Sequence, residues 1–105
     1  MTDLEAYTEK LRRAGEDTAA VRDLLHDIAA EARTAMSGLI PACGDDEFGN
    51  KFRCGEEGFE SVMNGVIDGT AKSGDSWGQM SKGQYDAAKE LERREQDSTD
   101  RLRQV

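Results

Sequence analysis

The sequence has 105 residues and a formal net charge of −8, and only 17 of its residues are Leu, Ile, Val or Phe. The excess of acidic residues argues against binding to nucleic acids or to anionic membranes, for which a basic face is expected. No apolar run approaches the about 18 residues of a membrane-spanning helix. The length is enough for one domain at most, and the composition predicts helices that need a second chain to complete their core.

The first predicted element is a long amphipathic helix at about residues 3–38. Apolar or small residues recur at alternating steps of three and four over about five heptads, which is the spacing of a helical seam. Thr2 or Asp3 fits the start as a cap. Gly38 and Pro41 predict the end, because Gly favours the left-handed turn after a helix and Pro cannot continue one. The predicted seam comprises Leu4, Tyr7, Leu11, Ala14, Thr18, Val21, Leu25, Ile28, Ala32, Ala35 or Met36, and Leu39.

A second helix is predicted at about residues 47–84, after a turn at about 41–46 where Asp45 or Asp46 fits as its cap. Its seam is weaker, because Gly, Ser, Thr and Gln occupy several positions. Residues 85–105 carry many charges of both signs and are predicted to form a solvated extension, either helical or flexible. The second predicted seam comprises Phe48, Phe52, Gly55, Phe59, Met63, Val66, Thr70, Ser73, Trp77, Met80, Gln84, Ala87 and Leu91.

The short connection predicts that the two helices are antiparallel neighbours. Folding the chain about Cys43 brings together residues whose numbers add up to roughly 86, so the apolar zone at 21–28 would meet the apolar zone at 59–66. The predicted fold class is all-α: a single helical-hairpin domain over residues 1–105 that pairs into a four-helix bundle. The predicted interface comprises Val21, Leu25, Ile28, Phe59, Met63, Gly65, Val66, Gly69, Trp77 and Met80.

Seven glycines between residues 55 and 83 admit two interpretations. Each costs about 1 kcal/mol relative to Ala in a helix interior, so the second helix would fray or break around Gly74. Alternatively, Gly65 and Gly69, which lie one turn apart, let the backbone of a partner helix approach closely.

The stretch from Cys43 to Phe52 resembles the segment around the Trp-x-Gly turn in actinobacterial members of the WXG, or Esx-like, family. In that variant the turn reads Trp-Gly-x-Asp-x-Phe-Gly, with a further Phe one turn later. Here Cys43 stands in place of the tryptophan, and the matching residues are Gly44, Asp46, Phe48, Gly49 and Phe52. The resemblance implies a helical hairpin of the type VII secretion pathway.

Family members often carry a Tyr-x-x-x-acidic export signal after the second helix. Tyr85 stands at the matching place, but its fourth successor is Lys89 and the acidic residue is shifted to Glu90. The chain therefore carries a degenerate export signal, or a partner with its own signal escorts it. Residues 1–10 have neither the basic start nor the apolar centre of a conventional signal peptide. The resemblance thus implies a protein that is cytoplasmic before export and is then secreted without a conventional signal peptide.

The resemblance also implies the partners of the chain. They would be another helical hairpin, in a homodimer or heterodimer, or the helical N-terminus of a larger exported protein such as a toxin. A type VII secretion ATPase would be a further partner. The chain would act as secreted substrate or as escort and chaperone. The alternative interpretation is an intracellular coiled-coil adaptor unrelated to secretion.

Catalytic interpretations find little support in the sequence. His26 lies beside the seam positions Leu25 and Ile28, which favours a packing or solvated role. The acidic run from Asp45 to Glu47 fits the capped start of a helix better than a metal site. No nucleophile-and-base pattern and no phosphate-binding glycine loop occurs. The sequence therefore predicts that the chain is not an enzyme and has no cofactor or metal.

Cys43 and Cys54 do not form a zinc-binding pattern, because they lie eleven residues apart and the chain has a single histidine. Two alternatives remain, a disulfide and two free thiols. About nine residues of helix rise only some 13 Å, so the loop before Asp46 is long enough to fold back and bring the sulfurs together. A bridge would stabilise by about 3 kcal/mol in the chain-entropy model and would replace the packing of the family's tryptophan by a covalent link.

Overall fold

Two long α-helices make up the part of the chain that the computed structural model describes, which is residues 2–42 and 58–104, with side chains described for 2–39 and 58–104. Helix α1 spans Asp3–Ala42 and helix α2 spans Phe59–Gln104. The two helices pack against each other as a hairpin, and the described residues contain no strand. The predicted all-α helical hairpin is therefore confirmed, whereas its pairing into a four-helix bundle stays a prediction.

The two ends of α1 differ in how well the sequence predicts them. Thr2 caps the start, because its hydroxyl accepts a hydrogen bond from the Glu5 amide at 3.0 Å. Asp3 and Glu5 add negative charge to the first turn, where it favours the helix dipole. At the other end α1 continues through Gly38 and Pro41 to Ala42, four residues beyond the predicted end. A proline so close to a helix end disrupts little, because few backbone hydrogen bonds remain to be lost there.

Contacts between the helices divide the chain into two compact units, one formed by Met1–Val21 with Ser76–Val105 and the other by Arg22–Asp75. We call them the terminal unit and the central unit. Each unit contains a piece of both helices, so each has its own set of contacts between α1 and α2.

The most buried residues of the terminal unit are small. Thr8 is 2%, Ser81 is 3% and Ala88 is 0% exposed. Gly15 is also buried, and the Tyr85 ring packs on it, since a Cβ built at Gly15 would lie 3.0 Å from that ring. The Ser81 hydroxyl donates to the Gly15 carbonyl oxygen at 2.7 Å, so a buried polar bond links the two helices. Small side chains allow this approach of the two backbones.

The segment predicted to be an unpaired extension, residues 85–105, is helical to Gln104. Much of it packs against the start of α1. Ala88 is fully buried, Arg12 forms an ion pair with Glu92, and the Thr2 hydroxyl lies 3.4 Å from Glu95. The charges of this segment thus serve partly as contacts between the helices of the terminal unit.

The central unit has the larger apolar core. Ala29, Met36 and Ile67 are at most 6% exposed, and the partly buried residues Ala32, Phe59, Met63 and Ala71 pack against them. Gly74 is buried in the same unit. A Cβ built there would lie 2.6 Å from the His26 ring and 3.3 Å from the Arg22 carbonyl oxygen. The helix therefore does not break at Gly74, and the glycine makes room for His26.

The predicted register of the hairpin is wrong. The contacting pairs Gly15 and Tyr85, His26 and Asp75, and Arg33 and Asp68 have residue numbers that add up to about 100, where the prediction was about 86. The pairing is displaced by about four helical turns. The error came from folding the chain about Cys43, with a second helix predicted from about residue 47. Helix α1 ends at Ala42 and α2 begins at Phe59, so the midpoint between the helix ends lies near residue 50 and paired residue numbers add up to about 100.

Half of the predicted seam of α1 also lies beside the observed contact. The structure buries residues one position later than Tyr7, Ala14 and Ile28, and it leaves Tyr7 56% and Ile28 46% exposed. The observed contact line, which we call the buried seam, recurs every seven residues on each helix, with position 22 half-buried. The buried seam comprises Thr8, Gly15, Ala29 and Met36 on α1 and Ile67, Gly74, Ser81 and Ala88 on α2.

The hydrogen bond between Ser81 and Gly15 gives a first prediction. We expect Ser81→Ala to lower the free energy of unfolding by about 1 kcal/mol relative to Ser73→Ala, because only Ser81 makes a buried bond between helices. Both substitutions make the same gain in helix propensity, and Ser73 is exposed. Urea unfolding followed by circular dichroism measures the difference. Equal stabilities of the two variants would show that the bond contributes nothing net.

Candidate protein-interaction surface

Each helix presents an apolar flank beside the buried seam. One residue step rotates the side chain by 100° around the helix axis, so residues just before the seam positions form a line on one side of it. On α2 the line includes Val66 and Met80, with Val62 and Trp77 one turn away. On α1 all members of the line are apolar: Tyr7, Ala14, Val21, Ile28 and Ala35.

Charged residues lie on the other side of the seam. On α1 they stand three positions before a residue of the buried seam. Three steps back correspond to a rotation of about 60° from the seam, in the sense opposite to the apolar flank. The residues in this line are Arg12, His26 and Arg33. On α2 Asp68 and Asp75 directly follow the seam residues Ile67 and Gly74. We call this side the polar flank.

Ion pairs show that the polar flanks of the two helices lie together within each unit. In the central unit His26 Nε2 is 2.8 Å from Asp75 Oδ1 and Arg33 Nη2 is 3.4 Å from Asp68 Oδ1. In the terminal unit Arg12 pairs with Glu92. All of these side chains are substantially exposed, and pairs of this kind contribute about 0–1 kcal/mol each. These ion pairs therefore add little stability, but they show which sides of the two helices lie next to each other.

The apolar flanks consequently lie on the opposite side of each unit. Two antiparallel helices in contact are related by an approximate two-fold axis perpendicular to the plane that contains them. Residues that are rotated from the buried seam by the same angle on each helix therefore lie on the same side of the pair. In the central unit this side includes Ile28, 46% exposed, Val62, 54%, and Val66, 55%. In the terminal unit it includes Trp77, 37%, and Met80, 52%. Apolar side chains grouped at this exposure are typical of a surface that binds another protein.

The residues of the predicted interface are divided by the structure into two groups. Phe59 and Met63 pack against the core of the central unit, and Val21 and Leu25 are half-buried. The exposed apolar members lie on or beside the apolar flank: Ile28, Val66, Trp77 and Met80. The structure contains no partner chain, so their role in binding stays a prediction.

Gly65 and Gly69 lie at the outer edge of the apolar flank of α2. Each follows an exposed valine by one turn, Gly65 after Val62 and Gly69 after Val66. A Cβ built at either glycine would meet no atom within 4 Å. These two positions are therefore open to a partner helix, and the hairpin itself does not require glycine there.

Sequence reasoning missed the glycines that the hairpin does require, Gly15 and Gly74. Each lies under a ring from the other helix, Tyr85 in one case and His26 in the other. The signal that would have identified them is the seven-residue recurrence of small residues, as in Gly74, Ser81 and Ala88.

The two residues of the predicted degenerate export signal, Tyr85 and Glu90, contact other residues of the terminal unit. The Tyr85 ring packs on Gly15. Glu90 accepts hydrogen bonds from Arg93 at 2.6 Å and from Arg94 at 3.1 Å, and these bonds hold the pKa of Glu90 below its usual value. Tyr85 therefore packs against the other helix, whereas Glu90 pairs within its own helix and its side chain is 44% exposed.

Other chemistry has little basis in the described residues. No group of three or more His, Cys, Asp or Glu side chains there is placed to hold a metal ion. His26 is engaged with Asp75 and Gly74 in a packing role. Neither α1 nor α2, over its described part, has the length of apolar sequence to cross a bilayer.

The predicted turn motif lies outside the described residues. It comprises Cys43, Gly44, Asp46, Phe48, Gly49 and Phe52, and the predicted Cys43–Cys54 disulfide falls in the same stretch. Both stay predictions.

Comparison of the chain with protein-family models, with curated proteins and with solved structures found no significant match. The resemblance to the WXG family therefore rests on the residues of this sequence alone. The evidence for the hairpin fold is the set of contacts between α1 and α2 described above.

Proposed function

We propose that the chain is a helix-pairing protein that completes a four-helix bundle with another helical hairpin or with the helical N-terminus of a larger exported protein. The observation that carries this proposal is the apolar flank. The hairpin buries Thr8, Ser81 and Ala88 while Val66 and Met80 remain more than half exposed. A hairpin that buries small residues between its helices and exposes larger apolar ones is expected when two such hairpins form a four-helix bundle.

Energetic reasoning favours the same conclusion. Burial of apolar surface stabilises by about 25 cal/mol per Å², and small seam residues supply little such surface. No large side chain in the described residues is less than 2% exposed. Domains of this size need about 5–15 kcal/mol of net stability. A partner on the apolar flank would supply the burial that the lone hairpin lacks.

We infer further that this pairing serves a type VII, or Esx-like, secretion pathway, in which the chain is a secreted substrate or an escort. The support is the resemblance of Cys43–Phe52 to the WXG turn together with the hairpin architecture. The engagement of Tyr85 and Glu90 within the terminal unit favours the escorted form, in which the partner carries the export signal.

Export from the native host tests this function. We expect the protein in the culture supernatant of wild-type cells, and we expect it to be retained in cells that lack the type VII ATPase. The chain should be recovered from the cytoplasm together with its helical partner. Retention in wild-type cells that export other substrates of the pathway would contradict the proposal.

An intracellular coiled-coil adaptor is the second candidate. The specific observation in its favour is the same engagement of Tyr85, the tyrosine of the predicted export signal, whose ring packs on Gly15 within the hairpin. An adaptor would use the same apolar flank but would stay in the cell with its partner. The supernatant experiment separates the two candidates.

A further inference from the structure

The exposed apolar side of the central unit places large residues and small ones at matching levels on the two helices. On α1 the large side chain of Ile28 is 46% exposed, and at the same level along the helix axes α2 presents the small exposed residue Ser73. Two residues are at the same level when their numbers add up to about 100, which is the observed register of the hairpin. Ile28 and Ser73 also have the same rotation from the buried seam, since each directly precedes a seam residue.

Nearer to the end of α1 the sizes are reversed. On α2 Val66 and Val62 are 55% and 54% exposed, and at their levels α1 presents the small exposed residues Ala35 and Gly38. A Cβ built at Gly38 would meet no atom within 4 Å, so this position is open. The surface is therefore raised on α1 and recessed on α2 at one end, and it has the opposite relief at the other end. We call it the stepped face, and it comprises Ile28, Ala35, Gly38, Val62, Val66 and Ser73.

A surface of this form is complementary to a copy of itself. A rotation of 180° about an axis that lies in the surface and runs parallel to the helices exchanges α1 with α2 and leaves every level unchanged. Ile28 of one copy then lies over Ser73 of the other, and Val66 lies over Ala35. Such self-complementarity is what a two-fold interface between identical chains requires, and facing positions that alternate large and small residues allow two layers to interdigitate.

Charges at the outer edges of the stepped face favour the same arrangement. Glu31 is exposed on the edge of α1, one turn after Ile28, and Gly69 lies at its level on the edge of α2. Exposed Lys72 follows Gly69 by one turn on that edge. The rotation places Glu31 of one copy over Gly69 of the other, next to Lys72, and this opposite-charge contact occurs twice in a dimer. An axis that runs across the helices would instead place the two α1 helices together, each with its Glu31.

We propose that a second copy of this chain covers the stepped face when no other partner is bound, related to the first by a two-fold axis parallel to the helices. This inference rests on the proposed function and deepens it, because it names the hairpin that completes the bundle of the free chain. The net charge of −8 on each chain opposes association. The two contacts between Glu31 and Lys72 offset part of this repulsion and select the orientation of the second copy.

Charge reversal in the full chain tests the inference. We expect the purified chain to sediment as a dimer at micromolar concentration. Lys72→Glu and Glu31→Lys should each raise the dissociation constant about tenfold, because each replaces two exposed opposite-charge contacts with two like-charge contacts. An equimolar mixture of the two variants should dimerise like the unchanged chain, since the mixed dimer regains both opposite-charge contacts. Sedimentation velocity measures the association, and circular dichroism checks that each variant stays helical.

The matched control separates the contact from the net charge. Glu31→Lys changes the net charge from −8 to −6, so it would strengthen the dimer if net charge alone mattered. Glu16→Lys makes the same change directly after Gly15, on the side of the polar flank, and should not weaken the dimer. A monomeric chain, a Glu31→Lys variant that dimerises as tightly as Glu16→Lys, or a mixture that dimerises no better than its components would overturn the inference.

Failure of this inference and failure of the proposed function are distinguishable. A chain that is exported with a helical partner but is monomeric when purified alone overturns the second-copy inference alone. A chain whose charge-reversal variants pair as expected but which is retained in cells with an active type VII ATPase supports the inference and contradicts the secretion proposal.

Discussion

Replacing Ile28 and Val66 together with Glu is expected to weaken binding of the native partner by about 100-fold. Both side chains are about half exposed on the apolar flank of the central unit, and loss of their burial in the complex costs about 3 kcal/mol in total. The hairpin itself should keep its helix content and melting temperature, because neither residue belongs to its core. Co-purification from the native host, followed by titration of the separated components, measures the loss.

The matched control is Ala30→Glu with Ser61→Glu. It adds the same charge to the same unit at exposed positions on the polar flank, and partner binding should change little. If the control weakens binding as much as the flank variant does, the apolar flank is not the docking surface. If the flank variant unfolds the free chain, Ile28 and Val66 belong to the hairpin core and the assignment fails for that reason.

The largest effect on stability is expected from Gly74→Leu. A Cβ at position 74 would lie 2.6 and 2.8 Å from two atoms of the His26 ring and 3.3 Å from a backbone oxygen of α1. The ring can swing outward only by leaving Asp75, and the backbone cannot move without separating the helices. Overpacking of this kind costs about 1–3 kcal/mol.

Gly83→Leu is the control, because a Cβ at position 83 would meet no atom within 4 Å. That variant should gain up to about 1 kcal/mol in helix propensity. Gly74→Leu makes the same gain, so the two variants should differ by the overpacking cost of about 1–3 kcal/mol. The middle of that range corresponds to roughly 10 °C in Tm for a chain of this length. Thermal unfolding followed by circular dichroism measures the difference, and similar melting temperatures would show that the helices do not approach closely at Gly74.

The presence of two helices was predictable, whereas the way they meet was not. Periodic apolar residues such as Leu4, Leu11 and Leu25 indicate an amphipathic helix whatever they pack against. The same periodicity does not say which neighbouring line contacts the other helix of the chain. The line through Tyr7 and Ile28 is as regular as the line through Gly15 and Ala29 and is more apolar, so the sequence favours it as the contact line.

The error in the register has a different cause. The sequence predicts a short turn centred on Cys43, whereas α1 ends at Ala42 and α2 begins only at Phe59. The exposure of Ile28, Val66 and Met80 could not be predicted from a single sequence. Apolar residues that are buried only in a complex recur along a helix with the same spacing as residues that are buried in the monomer. Physical evidence for the docking surface came only from comparison of the two flanks.

The fluorescence of Trp77 tests the central claim most directly, since it is the only tryptophan of the chain. It lies beside the apolar flank and is 37% exposed in the free hairpin. On binding of the native partner, its emission should shift to shorter wavelength and become protected from quenching by acrylamide. The same complex made with Trp77→Phe allows the partner's own signal to be subtracted. A complex that forms with no change in the emission or quenching of Trp77 would contradict the account.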